Sequence, residues 1–215
     1  MKFFHGARRS GPYFEGWYLK HQSRNGDILA LIPAFHIDGV GRRSASLQII
    51  SNDGSWWLEY PGTQFYAFRD QFHIQLGQSA FDRCGIEINV DQNGLLLQGI
   101  LKYGPFTPLK SDIMGPFRLF AGMQCSHGVI SMGHSLEGFL NLNGELIDFT
   151  GGIGYIETDR GRSFPNSYLW TQCVWNGPDC GSLMFAAATI PLPIGGFTGC
   201  IGAIFYGGRE YRLAT

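Results

Sequence analysis

The chain carries few charges, and the two signs are nearly balanced. Of its 215 residues, 16 are Lys or Arg and 17 are Asp or Glu, which gives a formal net charge of -1. A chain without an excess of basic residues offers no positively charged surface to a phosphate backbone, so we do not expect nucleic acid as a partner. Because hydrophobic residues make up 44% of the chain and charged ones only 15%, the composition also excludes a disordered protein.

Long apolar runs and paired cysteines are also missing. No run is long enough to span a bilayer, and the first residues lack the apolar segment of a signal peptide. The five cysteines form no CxxC pair and are odd in number, which favours free thiols over disulfides or a zinc site. We therefore expect a cytoplasmic protein with no transmembrane segment, either free or in peripheral contact with a membrane.

Several common catalytic motifs are absent as well. The chain has no GxSxG elbow, no P-loop and no GxGxxG after a strand. It also has no amphipathic helix of ordinary length and no alternation of strands with helices, which argues against a parallel α/β sheet. Serine hydrolases of the α/β type and nucleotide-binding enzymes are therefore poor matches.

What the chain has instead is a series of short β-type segments separated by turn signals. Clear hairpins are GIEINV-DQNG-LLLQGILKY and GHSLEGFLNL-NG-ELIDF, in which a glycine follows an asparagine at each turn. The pattern predicts one all-β antiparallel domain over residues 1–215, built as a barrel or a pair of curved sheets. Segments such as ILALIPAF are apolar on both faces, so we expect the outside of the sheet to be covered or an apolar ligand to fill its inside.

Three blocks carry a resemblance to a known family. They read PYFEGWYLK, GGIGYIETDRGRSFPNSYLWTQCVWN and GREYRLAT. In this order they resemble the tocopherol cyclase family, and the first block is also similar to the carotenoid hydratase group. Members of the family usually continue beyond the third block, so the resemblance implies that this chain ends before the C-terminal strands.

The resemblance implies a lipocalin-like β fold and a chemistry. A prenylated benzoquinol closes its phenol oxygen onto an alkene to give a chromanol, with no cofactor and no metal. The ligand would then be an apolar prenylated aromatic or isoprenoid molecule. Two alternatives remain open: a non-catalytic carrier or sensor of such lipids, and a hydratase that adds water to a similar double bond.

Protonation of an alkene requires a carboxyl that keeps its proton in apolar surroundings, π-faces that shelter a cation, and an acceptor for the phenol proton. Tyr155, Glu157 and Asp159 share one face of an extended segment, so Glu157 or Asp159 is the predicted acid, with Glu157 preferred. The alternative is that Asp159 caps the following turn and Glu157 pairs on the surface with Arg160 or Arg162.

The next segment offers a candidate wall for the substrate. Trp170 and Gln172 share a face, and we expect Trp170 to line the site while Gln172 orients the phenol. The alternative for Gln172 is that it caps backbone groups across the sheet.

The first block divides into two faces, with Glu15 and Trp17 on one and Tyr18 on the other. All three, together with Tyr155 on the later segment, are predicted to bind substrate, although Glu15 also suits a structural role in which it bonds backbone amides or an arginine. His36 is the predicted proton acceptor, with a hydrogen-bonded core histidine as the alternative.

Two further histidines are candidate metal ligands, but their spacing in the sequence does not favour a metal site. His127 and His134 are seven residues apart, so on a regular strand they face opposite sides, and no third ligand lies at a suitable spacing. We therefore expect no metal centre.

Overall fold

In a computed structural model the chain forms an almost purely β structure, described for residues 2–119, 123–175, 180–191 and 196–214. Three 3₁₀ helices cover Gly6–Arg8, Gly62–Gln64 and Gly115–Leu119. The strands are β1 (Tyr13–Gln22), β2 (Ile28–Ile37), β3 (Arg43–Ser51), β4 (Ser55–Pro61), β5 (Phe65–Ala67), β6 (His73–Leu76), β7 (Ser79–Asp82), β8 (Gly85–Gln92), β9 (Leu95–Tyr103), β10 (Cys125–Leu142), β11 (Glu145–Asp148), β12 (Ile153–Gly161), β13 (Tyr168–Trp175), β14 (Gly181–Pro191), β15 (Gly196–Tyr206) and β16 (Arg209–Ala214).

The strands form two antiparallel sheets, which confirms the predicted all-β class and the pair of curved sheets. The larger sheet has the order β4-β3-β2-β1-β12-β10-β9-β8-β7-β6-β5, with β11 paired to β10, and the smaller has the order β13-β14-β15-β16. The two hairpins foreseen from the sequence are present. Asn93 and Asn143 adopt positive φ angles of 55° and 53° before their glycines, as a tight β-hairpin turn requires.

The larger sheet curls around a first core. Although β4 and β8 are far apart in the sheet order, Gln92 Nε2 on β8 donates a hydrogen bond of 2.9 Å to the Tyr60 hydroxyl on β4. The enclosed side chains are aliphatic and aromatic, and Leu19, Leu31 and Leu97 are completely buried. Burial of each such side chain contributes about 1.5–3 kcal/mol to the hydrophobic stabilisation.

The smaller sheet covers the outer face of the larger one, and a second core lies between them. Val129 and Tyr155 from the larger sheet pack there with Val174, Met184 and Ala203 from the smaller sheet. Strands β1, β2, β10 and β12 therefore have two covered faces. This explains the segments that are apolar on both sides, since neither side meets water.

Strand β10 does not alternate regularly. Its pairing with β12 shifts between Val129 and Ser131 and again between Ser131 and His134. Such bulges change which side of the sheet the following residues face. His127 lies on the side of the second core, whereas His134 packs against Tyr103 beside the first core, with ring centroids 4.5 Å apart and the ring planes tilted.

Within the described ranges, no helix is long and apolar enough to cross a membrane.

Candidate functional site

A cavity of about 550 Å³ lies between the two sheets. Its walls come from β1 to β4, β10 and β12 on one side and from β13 to β15 on the other. Most of the lining is apolar, and Gly16 in the middle of β1 leaves room because it has no side chain. Aromatic rings supply much of the surface, from Phe14, Tyr18, Trp57, Phe117, Phe164, Tyr168 and Trp170.

Two carboxyl groups project into this wall from β12. Tyr155, Glu157 and Asp159 lie on one face of the strand, as the alternation predicts, and Glu157 is only 4% exposed. The Tyr155 hydroxyl donates to Glu157 Oε2 at 2.6 Å, and Trp170 Nε1 donates to the same oxygen at 3.2 Å. Tyr155 itself is completely buried in the second core and does not line the cavity, so it contacts Glu157 where it was predicted to contact substrate. Glu157 therefore faces the inter-sheet space and does not form the surface ion pair that was the alternative.

His127 completes the cluster, although its sequence position predicts no role for it. Strand β10 pairs with β12 so that His127 lies opposite Asp159, and Nδ1 donates to Asp159 Oδ1 at 2.9 Å. Its other nitrogen, Nε2, lies 3.4 Å from Glu157 Oε2 without the alignment of a hydrogen bond. The cluster thus holds a buried imidazole between two carboxyl groups.

The charge state of His127 follows from these neighbours. Burial favours the neutral ring, but the charges of Glu157 and Asp159, together with the hydrogen bond to Asp159, outweigh it and raise the pKa of His127 to about 10. At neutral pH the ring is an imidazolium, with an N–H on each nitrogen. Cys125 adds a further donor, since its Sγ lies 3.5 Å from Asp159 Oδ1.

Tyr18 and Trp170 form an aromatic corner beside the cluster. Their ring centroids are 5.3 Å apart in an edge-to-face arrangement, and Tyr18 lies opposite Glu157 in the pairing of β1 with β12. Burial, with a contribution from the Glu157 charge, raises the pKa of Tyr18 to about 12. The phenol therefore keeps its proton at neutral pH, and its ring lines the cavity.

His36 lines the same cavity from β2. Its Nε2 lies 2.9 Å from the Ser46 hydroxyl. Burial lowers the pKa of His36, so the imidazole is neutral at neutral pH and can accept a proton.

Gln172 follows Trp170 on the inner face of β13 but lies beyond the cavity lining. Its Oε1 accepts a hydrogen bond of 3.2 Å from Lys20 Nζ. The structure therefore brings Gln172 into the inter-sheet space without placing it against the cavity.

The structure places Glu15 on the other face of β1, away from the cavity. The carboxylate is completely buried and accepts hydrogen bonds from the backbone N–H groups of His5 and Gly6 and from the Tyr13 hydroxyl. These contacts match the structural alternative, in which Glu15 satisfies backbone amides. They tie the N-terminal segment to the larger sheet.

Trp17 likewise lies outside the cavity, on the same face of β1 as Glu15. It is 1% exposed and packs in the first core, with ring centroids 6.3 Å from Phe4 and 6.2 Å from Phe65. Trp17 and Tyr18 lie on opposite faces of β1, as the alternation predicts. The face that carries Trp17 packs into the first core, and the face that carries Tyr18 lines the cavity.

The cluster also has the ligand types that divalent cations use. One donor atom each from His127, Glu157 and Asp159 lies within 4.8 Å of the others. However, His127 Nδ1 is engaged with Asp159, and a bound cation would have to replace the proton that the two carboxylates hold on the ring. The same three side chains therefore offer a place for a proton or, in its stead, for a divalent cation.

Comparisons with known proteins give the fold. No family model matches the chain, and no curated protein matches it. A solved structure from Nitrosomonas europaea with the provisional name AttH is 14% identical, with a TM-score of 0.56 over 94% of this chain and 68% of that one. Kievitone hydratase from Nectria haematococca is 10% identical, with a TM-score of 0.56 over 98% of this chain and 68% of that one.

CghA, solved with Sch210972, is 12% identical, with a TM-score of 0.58 over 93% of this chain and 59% of that one. The chain thus spans between 59% and 68% of the length of these three structures. At such identities the likeness shows a shared lipocalin-like fold of two curved sheets.

Proposed function

We propose that the protein binds a prenylated aromatic molecule in the inter-sheet cavity and adds an O–H group across one of its carbon–carbon double bonds. The observation that supports this is a buried, proton-holding cluster in the wall of an apolar, aromatic cavity. In the leading version the phenol of a prenylated benzoquinol adds to its own prenyl chain and closes a chromanol ring, the reaction of the tocopherol cyclase family that the sequence blocks resemble.

Glu157 is the proposed proton donor. It is only 4% exposed and lines the apolar cavity that a ligand would fill. Among the described residues none donates a hydrogen bond to Glu157 Oε1, so this oxygen is free to carry the proton that the alkene receives.

His127 and Asp159 assist the transfer. The imidazolium stabilises the carboxylate that Glu157 becomes after it has given its proton to the alkene carbon. Asp159 fixes the ring through the Nδ1 hydrogen bond of 2.9 Å. Asp159 is thereby a positioning residue for the donor.

The aromatic wall and His36 complete the reaction. Rings of Tyr18 and Trp170 present π-faces to the carbocation that protonation creates. The phenol oxygen then forms a bond to the cation, and its proton passes to the neutral His36. Since one proton is given and one is taken up, the product is an isomer of the substrate, and the proton returns to Glu157 through solvent.

A hydratase is the second candidate, favoured by the kievitone hydratase among the structural neighbours. The same donor would protonate the alkene, and a water molecule would take the place of the phenol. A carrier that binds the lipid without turnover remains the alternative outside catalysis.

One incubation separates these functions. Purified protein is mixed with a reduced prenyl benzoquinol, and the products are analysed by liquid chromatography with mass spectrometry. A chromanol of unchanged mass supports the cyclase, a product heavier by one water supports the hydratase, and binding without product supports the carrier. If the protein neither binds nor converts this substrate, the proposal is wrong.

Variants then test the roles within the cluster. We expect Glu157→Gln to reduce turnover at least a hundredfold, the usual scale of a general acid, while leaving ligand affinity nearly unchanged. The matched control is Glu87→Gln, which alters an exposed carboxylate on β8. Equal rates for the wild type and Glu157→Gln would remove Glu157 as the donor.

A further inference from the structure

A buried lysine lies between the two sheets and has no role in the proposed reaction. Lys20 on β1 is 9% exposed, and its Nζ donates to Gln172 Oε1 on β13 at 3.2 Å. No carboxylate among the described residues lies within ion-pair distance of it. An ammonium group buried without a counter-ion is costly, and burial lowers the pKa of Lys20 accordingly.

Beside it, Gln172 also has a buried polar group without a partner in the described part of the chain. Its Nε2 is buried and has no hydrogen-bond partner within the described ranges. The orientation of the amide follows from its neighbour, because a reversed amide would point its NH₂ group at the Lys20 ammonium. Among the described residues, hydrogen-bond donors are thus in excess here: the ammonium has three N–H groups and uses one, and the Gln172 NH₂ group is unpaired. What this place lacks is an acceptor oxygen.

The donor pair lies just beyond the wall of the cavity. Tyr18 and Trp170, which line the cavity, precede Lys20 and Gln172 by two residues on the same strand faces. Two residues along a strand correspond to about 6.6 Å, which is one layer of side chains. The Tyr18 and Trp170 rings, in edge-to-face contact at 5.3 Å between centroids, are thus the cavity-lining side chains nearest to the pair along both strands.

We propose that Lys20 and Gln172 form an anion-binding subsite that receives a carboxylate of the ligand, while the apolar part of that ligand fills the cavity. A turn of the Tyr18 or Trp170 ring joins the subsite to the cavity. The carboxylate supplies the missing counter-ion of Lys20 and accepts the unpaired N–H of Gln172, so that both deficits are removed together. This rests on the proposed function only in using the same cavity, and it requires no turnover.

The test compares two ligands that differ only in the head group. Oleic acid and oleyl alcohol, both below their aggregation limits, are titrated at pH 7 against the quenching of tryptophan fluorescence. We expect the acid to bind at least about tenfold more tightly than the alcohol, the usual scale of a charge-assisted hydrogen bond. Equal affinities in the wild type would overturn the proposal.

Variants assign the preference to the two residues. Lys20→Met keeps an unbranched side chain that is one heavy atom shorter and removes the charge, so the acid loses its advantage while the affinity of the alcohol changes less than about twofold. Gln172→Leu reduces the advantage without abolishing it. The matched control is Lys102→Met, an exposed lysine on β9, which should keep the wild-type ratio.

Two results count against the subsite. One is a Lys20→Met protein that keeps the preference for the acid, and the other is a Gln172→Leu protein with an unchanged ratio. Circular dichroism verifies that each variant is folded, and if Lys20→Met is not, the wild-type ratio and Gln172→Leu decide the matter. A lack of turnover with the prenyl benzoquinol would contradict the proposed function and leave this ratio untouched.

Discussion

Replacing His127 by glutamine removes a buried positive charge and keeps a side chain of similar length. In the wild type this charge is held between Glu157 and Asp159, at 3.4 Å and 2.9 Å. Because the folded protein binds this proton more tightly than the unfolded chain does, the free energy of unfolding must depend on pH in a way that the variant lacks.

The sign and size of this dependence follow from the shift. The pKa of His127 is about 10 in the folded protein, whereas a histidine in an unfolded chain titrates near 6.5. The stabilisation is therefore complete below about pH 6.5 and is lost as the pH rises towards 10, at about 1.4 kcal/mol per pH unit. Between pH 7.0 and 8.5 the wild type should lose about 2 kcal/mol of unfolding free energy that His127→Gln does not lose.

The assay is urea unfolding of both proteins at several pH values in this interval, followed by circular dichroism with a thiol reductant present. Other groups, such as Cys125 and Lys20, titrate in both proteins, so the difference between the two pH profiles isolates His127. Parallel profiles would refute the view that His127 is a buried imidazolium, and the proton-holding cluster would have to be abandoned.

Three further predictions concern the core, the cavity and metals. Trp17→Ala should lower the unfolding free energy by about 3–5 kcal/mol and leave ligand affinity unchanged, since Trp17 lies in the first core; weaker binding at equal stability would place it in the site. Ala188→Phe fills the cavity and should weaken ligand binding at least tenfold by titration, whereas Ala187→Phe on the other strand face should not; equal effects would argue against the cavity as the binding site. Dialysis against EDTA should leave turnover unchanged, and a loss that a divalent cation restores would show a metal at His127.

Much of the local arrangement could be predicted from the sequence. Alternation along β12 put Tyr155, Glu157 and Asp159 on one face, and alternation along β1 separated Tyr18 from Trp17. These predictions depend only on the two-residue period of a strand, which is a property of the backbone. The hairpin turns could be predicted for a similar reason, because asparagine and glycine tolerate positive φ angles.

Long-range pairing could not be predicted in this way. His127 belongs to the cluster because β10 lies beside β12, and no local pattern states which strands become neighbours. For the same reason the sequence could not decide which face of β1 would enclose the first core, and Trp17 was assigned to the cavity. Within β10 the sequence held one signal of a polar face towards the cavity. This signal was the pair Cys125 and His127, which are two residues apart on the strand.

Strand β12 serves both cores at once, and this limits how the protein can change over evolutionary time. Ile156 packs in the first core, while Tyr155 and Glu157 on either side of it face the second. Point substitutions can therefore retune the chemistry one side chain at a time. Deletion of a single residue within the strand would instead exchange the two sets, turning carboxyls into the hydrocarbon interior and aliphatic groups towards the ligand. We expect natural variants of this sheet to differ in residue type and to keep the length of β12.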